Sequence, residues 1–263
     1  MRRSTVVVTR PVAQARVLQS RLVALGRQVE LFPLLEIMAL QDNELLDRTL
    51  MALENFALVA FVSPNAIAAA FARRVQWPVQ VPLAVMGQGS LTALSDHGID
   101  ASTTKIFSPS NPDRTDSQTL LEVLDLPSLK DRNVLILRGE SGRELLADAL
   151  RTAGAHVTQV AAYRRTAPTV DAPRLQRLRE LLQQQDCDWL ITSSEALQIL
   201  FDMVVADGMP QQVAERVARL QQQRLIIPHV RIAETARSLG FKKVIQTGSG
   251  DERMLAALQF GDE

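Results

Sequence analysis

The sequence predicts an α/β protein built on parallel sheets and arranged as two similar lobes. Short β-branched runs alternate with amphipathic stretches along the whole length, which is the pattern of βα units. The same succession occurs twice, with matching residues at matching places. Two extended, β-prone segments interrupt it, one after the first βα unit of each half, where they suit connections between lobes.

In the first half, Thr5-Val6-Val7-Val8-Thr9 reads as a buried strand and Pro11 suits a helix start. Val17, Leu18, Leu22 and Leu25 recur at helical spacing until Gly26 stops the helix. The extended segment Glu30 to Ile37 contains Pro33, which would break a central strand. Ala60-Phe61-Val62-Ser63-Pro64-Asn65-Ala66-Ile67 follows as strand, turn and helix. Leu83 to Gly87 is the next strand, with Gly98 ending its helix, and Lys105-Ile106 leads to a helix around Leu120-Leu121.

The second half repeats this order. Val134 to Leu137 is a strand, Ser141 and Glu144 form a capping-box signature, and Leu145, Leu146, Ala149 and Leu150 make a stripe ending at Gly154. Arg138 thus stands where the first half has Arg10. The second extended segment runs from Val157 to Arg165. Leu190 to Leu197 places Ser193 opposite Ser63, and Leu225 to His229 places His229 opposite Gly87, with Gly240 ending that helix. Lys243-Val244 and a helix around Met254-Leu255 close the set.

Composition narrows the function. The chain has 263 residues, 29 basic and 29 acidic, and no block of like charge, which removes the electrostatic case for nucleic-acid or membrane-surface binding. The longest apolar stretch, Phe56 to Val62, is too short to cross a bilayer, and behind Met1-Arg2-Arg3 only Val6 to Val8 is continuously apolar, so no secretory signal is expected. A single cysteine, Cys187, fits a reducing compartment and predicts a cytoplasmic protein. His97, His156 and His229 share no ligand spacing with one another or with Cys187, so no metal is expected.

Cofactor motifs are missing too. Gly87-Gln88-Gly89 has Thr92 where a dinucleotide fingerprint needs its third glycine, and it reads as a turn. No phosphate-binding Walker sequence or Gly-x-Ser-x-Gly elbow occurs, and Gly248-Ser249-Gly250-Asp251 reads as the cap of the last helix. What recurs is a small hydroxyl between strand and helix: Thr9, Ser63, Ser90, Ser193 and Ser194. On the carboxyl edge of parallel strands such residues serve an anion site, or simply cap helices. Arg10 and Arg138 suit bidentate carboxylate contacts or an ordinary surface. Tyr163, the only tyrosine, either projects a phenol into a cleft or packs over a hinge, and His229 is a lone histidine with a structural or a chemical use.

Together these motifs resemble the uroporphyrinogen-III synthase family. The likeness runs from Val7-Val8-Thr9-Arg10-Pro11 through Phe61 to Ala66, Val85-Met86-Gly87-Gln88-Gly89-Ser90 and Tyr163-Arg164-Arg165 to Ile191-Thr192-Ser193-Ser194. It implies two flavodoxin-like parallel-sheet lobes joined by a two-stranded antiparallel connector. Residues 1–30 and 167–263 would form one lobe and 38–156 the other, with 31–37 and 157–166 connecting them. It implies cyclisation of the linear tetrapyrrole hydroxymethylbilane to uroporphyrinogen III, with loss of water and inversion of ring D, without metal or organic cofactor. Tyr163 would be the catalytic residue that assists departure of the hydroxyl. Substrate contacts are expected at Thr9, Arg10, Ser63, Asn65, Gly87, Ser90, Arg138, Gly139, Ser193, Ser194, His229 and Arg231. His229 and Ile232 stand where the family commonly has glycine and threonine, and Arg231 is the alternative carboxylate contact there. The expected partners are the substrate and, transiently, the enzyme that supplies it, with no nucleic acid and no membrane, the chain acting as a monomer. The competing function is a non-catalytic two-lobed binding protein or sensor for a small polyanion, which the lack of any output domain disfavours.

Overall fold

The computed structural model describes residues 5–73, 76–109, 117–184, 186–248 and 250–260. Met1-Arg2-Arg3 and Ser249, which entered the sequence reading, lie outside the described residues. In chain order the first elements are β1 (Thr5–Val8), α1 (Val12–Ala24), β2 (Gln28–Leu31), β3 (Glu36–Met38), α2 (Glu44–Met51), β4 (Leu58–Phe61) and α3 (Pro64–Phe71). Then come β5 (Leu83–Val85), α4 (Gln88–Ser95), β6 (Ile106–Phe107), α5 (Ser117–Leu121), β7 (Asn133–Gly139), α6 (Leu145–Thr152) and β8 (His156–Thr166). The last are α7 (Ala172–Gln183), β9 (Cys187–Leu190), α8 (Ser194–Val205), α9 (Pro210–Gln222), β10 (Arg224–Ile227), α10 (Val230–Ser238), β11 (Lys243–Gln246) and α11 (Asp251–Phe260).

These elements build two compact units. One is the chain up to Glu36 and from Thr166 onward, and the other is Ile37–Arg165. The first holds a five-stranded sheet in the order β11-β10-β9-β1-β2, parallel throughout. The second holds a six-stranded sheet in the order β3-β8-β7-β4-β5-β6, parallel from β8 to β6. The α/β class with parallel sheets is therefore as the sequence predicts.

Helices cover both faces of each sheet, so the central strands are continuously apolar rather than alternating. Successive side chains still divide between the faces. In the first unit Val7, Trp189, Leu225 and Ile227 join one core cluster while Val6, Val8, Leu190 and Ile226 join another. In the second unit Val59, Phe61, Leu135 and Leu137 face one way, and Leu58, Ala60, Val134 and Ile136 the other. Helices α1 and α6 stop where expected, because Gly26 (φ 72°) and Gly154 (φ 90°) take the left-handed conformation that glycine adopts without penalty. The following amides, of Arg27 and Ala155, reach back to Leu22 and Leu150, closing each helix end.

A charged cluster is buried in the first unit. Asp188 of β9, 2% exposed, accepts from Arg27 at 2.7 Å and from both Nε and Nη2 of Arg224, and Arg27 also donates to the Leu258 carbonyl at 2.9 Å. This ties β9, β10 and the last helix together. A carboxylate so far from water is stable only with such partners.

Two local expectations change. The sequence sets the segments Glu30 to Ile37 and Val157 to Arg165 apart from the sheets as extended connections. Instead Leu31 ends β2, and β8 takes up the whole of the second segment and pairs with β7 from His156 opposite Asn133 to Tyr163 opposite Gly139. The second segment is part of an eleven-residue strand of the sheet itself. The proline argument holds at its own position, since Pro33 lies between β2 and β3. The capping box of Ser141 and Glu144 does not form: α6 starts at Leu145 and Glu144 makes no capping bond, because its carboxylate is held by Arg138 and Gln159.

Candidate functional site

In a parallel sheet the strand ends and the following helix starts share one edge, and that edge of the second unit contains a cavity of about 330 Å³. Val62, Met86, Ile136 and Leu146 form its apolar wall. Its polar wall is Ser63, Arg138, Gln159, Tyr163 and Arg165, with Arg143 beside them. Four sequence-predicted residues, Ser63, Arg138, Gly139 and Tyr163, therefore meet in one place.

Tyr163 is 6% exposed, and its ring belongs to the core cluster that includes Phe61 and Leu137. Its phenol oxygen lies 3.1 Å from the Ser63 hydroxyl. Ser63 follows β4 and caps α3, accepting the Ala66 N–H at 3.2 Å, so its own O–H remains for the phenol. The tyrosine is aimed by a slip in the ladder: Arg138 faces Ala161 but Gly139 faces Tyr163, so β8 accommodates one extra residue there. Such bulges re-aim side chains beside functional sites. Gly139 is needed for the fit, because a Cβ there would lie 3.1 Å from Cζ of the tyrosine ring.

Arg138 is 8% exposed. Its Nη1 donates to Glu144 and to Gln159, and Gln159 Nε2 donates to the second Glu144 oxygen at 2.6 Å. These bonds from Gln159 and Arg138 hold the Glu144 carboxyl below the usual carboxylate range. Arg165, at the end of β8, donates to the Ser141 carbonyl at 3.3 Å, tying the loop before α6 to the strand. Gln159, Glu144, Arg143 and Arg165 were missed from sequence. Gln159 and Arg165 lie on the same strand as Tyr163, but the slip between Ala161 and Tyr163 breaks the alternation that could have joined them in sequence. Glu144 was read as a cap.

The remaining expected residues of this unit lie apart from the cavity lining. Gly87 precedes α4, Ser90 is buried in its first turn, and Asn65 lies in the first turn of α3.

The first unit gives its counterparts other work. Thr9 is 1% exposed and its hydroxyl donates to the Leu190 carbonyl at 2.7 Å, which staples the ends of β1 and β9. Arg10 pairs with Asp251 at 2.6 Å and reaches Met254 Sδ at 3.6 Å, in the first turn of α11. Ser193 caps α8, accepting the Ala196 N–H at 3.0 Å. Ser194 accepts from the Thr235 hydroxyl at 3.0 Å, and His229 Nδ1 caps α10 by accepting the Arg231 N–H at 3.2 Å. The histidine in place of glycine is thus a helix cap, and Ile232 is buried against the core. Among the described residues, no group of three His, Cys, Asp or Glu side chains could hold a metal, and no helix is long and apolar enough to cross a membrane.

Comparison with known proteins finds likenesses over nearly the whole chain. The family model for uroporphyrinogen-III synthase HemD matches residues 16–256. The uroporphyrinogen-III synthase of Escherichia coli (strain K12) is 33% identical, covering 97% of this chain and 100% of that protein. That of Salmonella typhimurium is 31% identical with the same coverage. A crystal structure of a mutant uroporphyrinogen III synthase from the extremely thermophilic bacterium Thermus thermophilus shares the fold with a TM-score of 0.59 at 16% identity, covering 97% of each chain. The synthetase from Helicobacter pylori 26695 has the same TM-score at 13% identity, covering 97% of this chain and 98% of that one. With a family match over nearly its full length and relatives this similar, the chain belongs to the uroporphyrinogen-III synthase family.

Proposed function

We propose that the protein cyclises hydroxymethylbilane to uroporphyrinogen III, with inversion of ring D and loss of water, as a step of tetrapyrrole biosynthesis. The observation that carries this reading is the match over nearly the whole chain to relatives that bear that enzyme's name. We read each unit as flavodoxin-like. Numbered along the chain, the first sheet runs 2-1-3-4-5, and the second runs in the same order when counted from β7. The chain passes between units at Glu36/Ile37 and Arg165/Thr166, in β3 and at the end of β8, and we read these neighbouring strands as the connector.

The chemistry assigned to the residues follows their environments. The substrate is a polycarboxylate, and Arg138 in a cavity with one apolar wall suits a pyrrole ring carrying an acidic side chain. Backbone N–H groups at the starts of α3, α8 and α10 suit further carboxylates. Departure of the terminal hydroxyl as water needs a proton, which the Tyr163 phenol supplies or shares by hydrogen bonding while Ser63 holds its oxygen. The resulting azafulvene-type cation closes through a spiro intermediate, and a shaped, partly apolar cavity limits the capture of that cation by water. Water is lost and no electrons are exchanged, so the reading needs no redox cofactor. We assign the reaction to a cytoplasmic monomer that receives its substrate from the preceding enzyme.

The test is to supply freshly prepared hydroxymethylbilane to the purified protein, oxidise the products and separate uroporphyrin isomers I and III by chromatography. Predominant isomer III is expected. Isomer I alone, formed at the spontaneous rate of ring closure, would overturn the reading and favour the polyanion-binding alternative.

A further inference from the structure

Arg138 is held in an unusual way for a buried cation. Its Nη1 makes both of the guanidinium's hydrogen bonds, to Glu144 and Gln159, and Nε and Nη2 make none among the described residues. Neither nitrogen is a buried orphan, so both reach the small accessible part of a side chain that lines the cavity. The same edge lies under Gly142, where an added Cβ would sit 2.6 Å from Nη2 and 3.5 Å from Nε. Among the described residues the cavity lining contains Arg138, Arg143 and Arg165 and no acidic residue. Glu144 reaches Arg138 from outside that lining, and the bond from Gln159 to its second oxygen closes a ring of three side chains. The Glu144 carboxylate supplies the ring's counter-charge, and the bonds from Gln159 and Arg138 hold it below the usual carboxylate range.

We infer that Glu144 and Gln159 are positioning residues: they fix Arg138 by Nη1 so that its Nε/Nη2 edge, kept clear by Gly142, receives a ligand carboxylate. An arginine binds a carboxylate best through two parallel N–H groups, and the Nε/Nη2 pair is such a fork. A guanidinium without the ring would have to be ordered on binding, so affinity falls although the charge remains. The inference rests on reading this cavity as the site of a carboxylated substrate.

The test is a double-mutant cycle read by fluorescence titration with uroporphyrin III, a stable octacarboxylate, alongside KM and kcat for isomer III formation. Glu144→Ala and Gln159→Leu should each weaken uroporphyrin binding, by a factor on the order of five for Glu144, near the upper end for a half-exposed ion pair. KM should rise more than kcat falls. Glu144→Gln, which keeps an acceptor for Nη1, should recover part of the loss, and Gly142→Ala, whose Cβ would displace Nη2, should weaken binding as well. In the Arg138→Gln background the Glu144→Ala effect should vanish, which a merely structural role would not produce. Tighter binding by Glu144→Ala would overturn the inference, because Glu144 would then be a rival of the ligand. Equal effects with and without Arg138, or no uroporphyrin binding by the native protein, would overturn it as well. Coupling in the binding cycle without isomer III formation would leave the inference standing and defeat the proposed reaction instead.

Discussion

Replacing Tyr163 by phenylalanine removes one oxygen from a ring that is 6% exposed and otherwise packed by the core. The structure limits the cost to stability. The lost contact is the 3.1 Å bond to Ser63, and Ser63 is not orphaned, because it still accepts the Ala66 N–H. One such neutral bond contributes about 1 kcal/mol, so the variant should fold with a small fall in melting temperature. The effect on turnover should be far larger. Proton donation or strong hydrogen bonding to a leaving hydroxyl contributes about 10²–10⁴-fold, and a loss of at least tenfold in isomer III formation is expected if that step limits the rate. Gly139→Ala is the companion perturbation. Gly139 is not in the positive-φ region, so the added methyl costs only its contacts, at 3.1 to 3.3 Å from the tyrosine ring and its oxygen. Relieving them means moving the ring by a few tenths of an ångström, with an overpacking cost of about 1–3 kcal/mol. That variant keeps the phenol but misplaces it, so it should lose turnover while retaining the O–H. The assay is the ratio of isomer III to isomer I under single-turnover conditions, with thermal unfolding in parallel. Near-native isomer III formation by Tyr163→Phe would refute the reasoning and remove the phenol from the mechanism.

Other perturbations probe the framework. Asp188→Ala leaves Arg27 and Arg224 without their shared counter-charge and should destabilise the first unit by about 3–5 kcal/mol, measured by urea unfolding; a change under 1 kcal/mol would contradict the buried ion cluster. The Asp207 carboxyl is pulled down to about 2 by its bonds from Arg179 and then Arg216. A group with a depressed folded value stabilises above its unfolded value of about 4 and loses that contribution as pH falls towards 2. Asp207→Asn should therefore lower neutral stability by about 1–2 kcal/mol, allowing for the exposed Arg179 head, and flatten the acid limb between about pH 4 and 2. An unchanged acid limb would show that the pair contributes nothing. The Cys187 thiol is pushed up to about 11 by burial and the neighbouring Asp188, so iodoacetamide at pH 8 should label it only after unfolding. Rapid labelling of the folded protein would contradict its placement in the core.

The fold was legible because burial on both faces of a parallel sheet leaves a strong trace in sequence. Runs such as Val6–Val8 and Val134–Leu137 have no reading other than covered strands, and the glycines that end α1 and α6 mark positions where backbone geometry admits few other residues. The length of β8 was not legible. Its register to β7 depends on a slip beside Gly139 that no local pattern encodes, and a segment read as a connection rather than a sheet strand hid Gln159 and Arg165 from consideration. The Glu144 error has the same origin: a Ser-x-x-Glu spacing meets the capping requirement equally well whether or not an arginine on the neighbouring strand competes for the carboxylate.

The internal repeat explains why the sequence located the strand-end residues better than it assigned their work. Repetition fixes where a residue sits, at the end of a given strand, but its bonds depend on groups brought there by other elements. Arg10 and Arg138 occupy equivalent places, yet Arg10 pairs with an aspartate of the last helix while Arg138 is clamped beside a cavity that also contains Tyr163. Ser63 and Ser193 both cap helices with the same geometry, and only Ser63 has a phenol within reach. Gly87 and His229 both precede a helix, but the imidazole fills the cap with its own Nδ1. A duplicated framework can therefore keep its strand ends and helix starts while each copy acquires different partners for them. Here the residues suited to proton transfer converge in the second unit, because that is where Gly139 lets the only tyrosine approach a strand end.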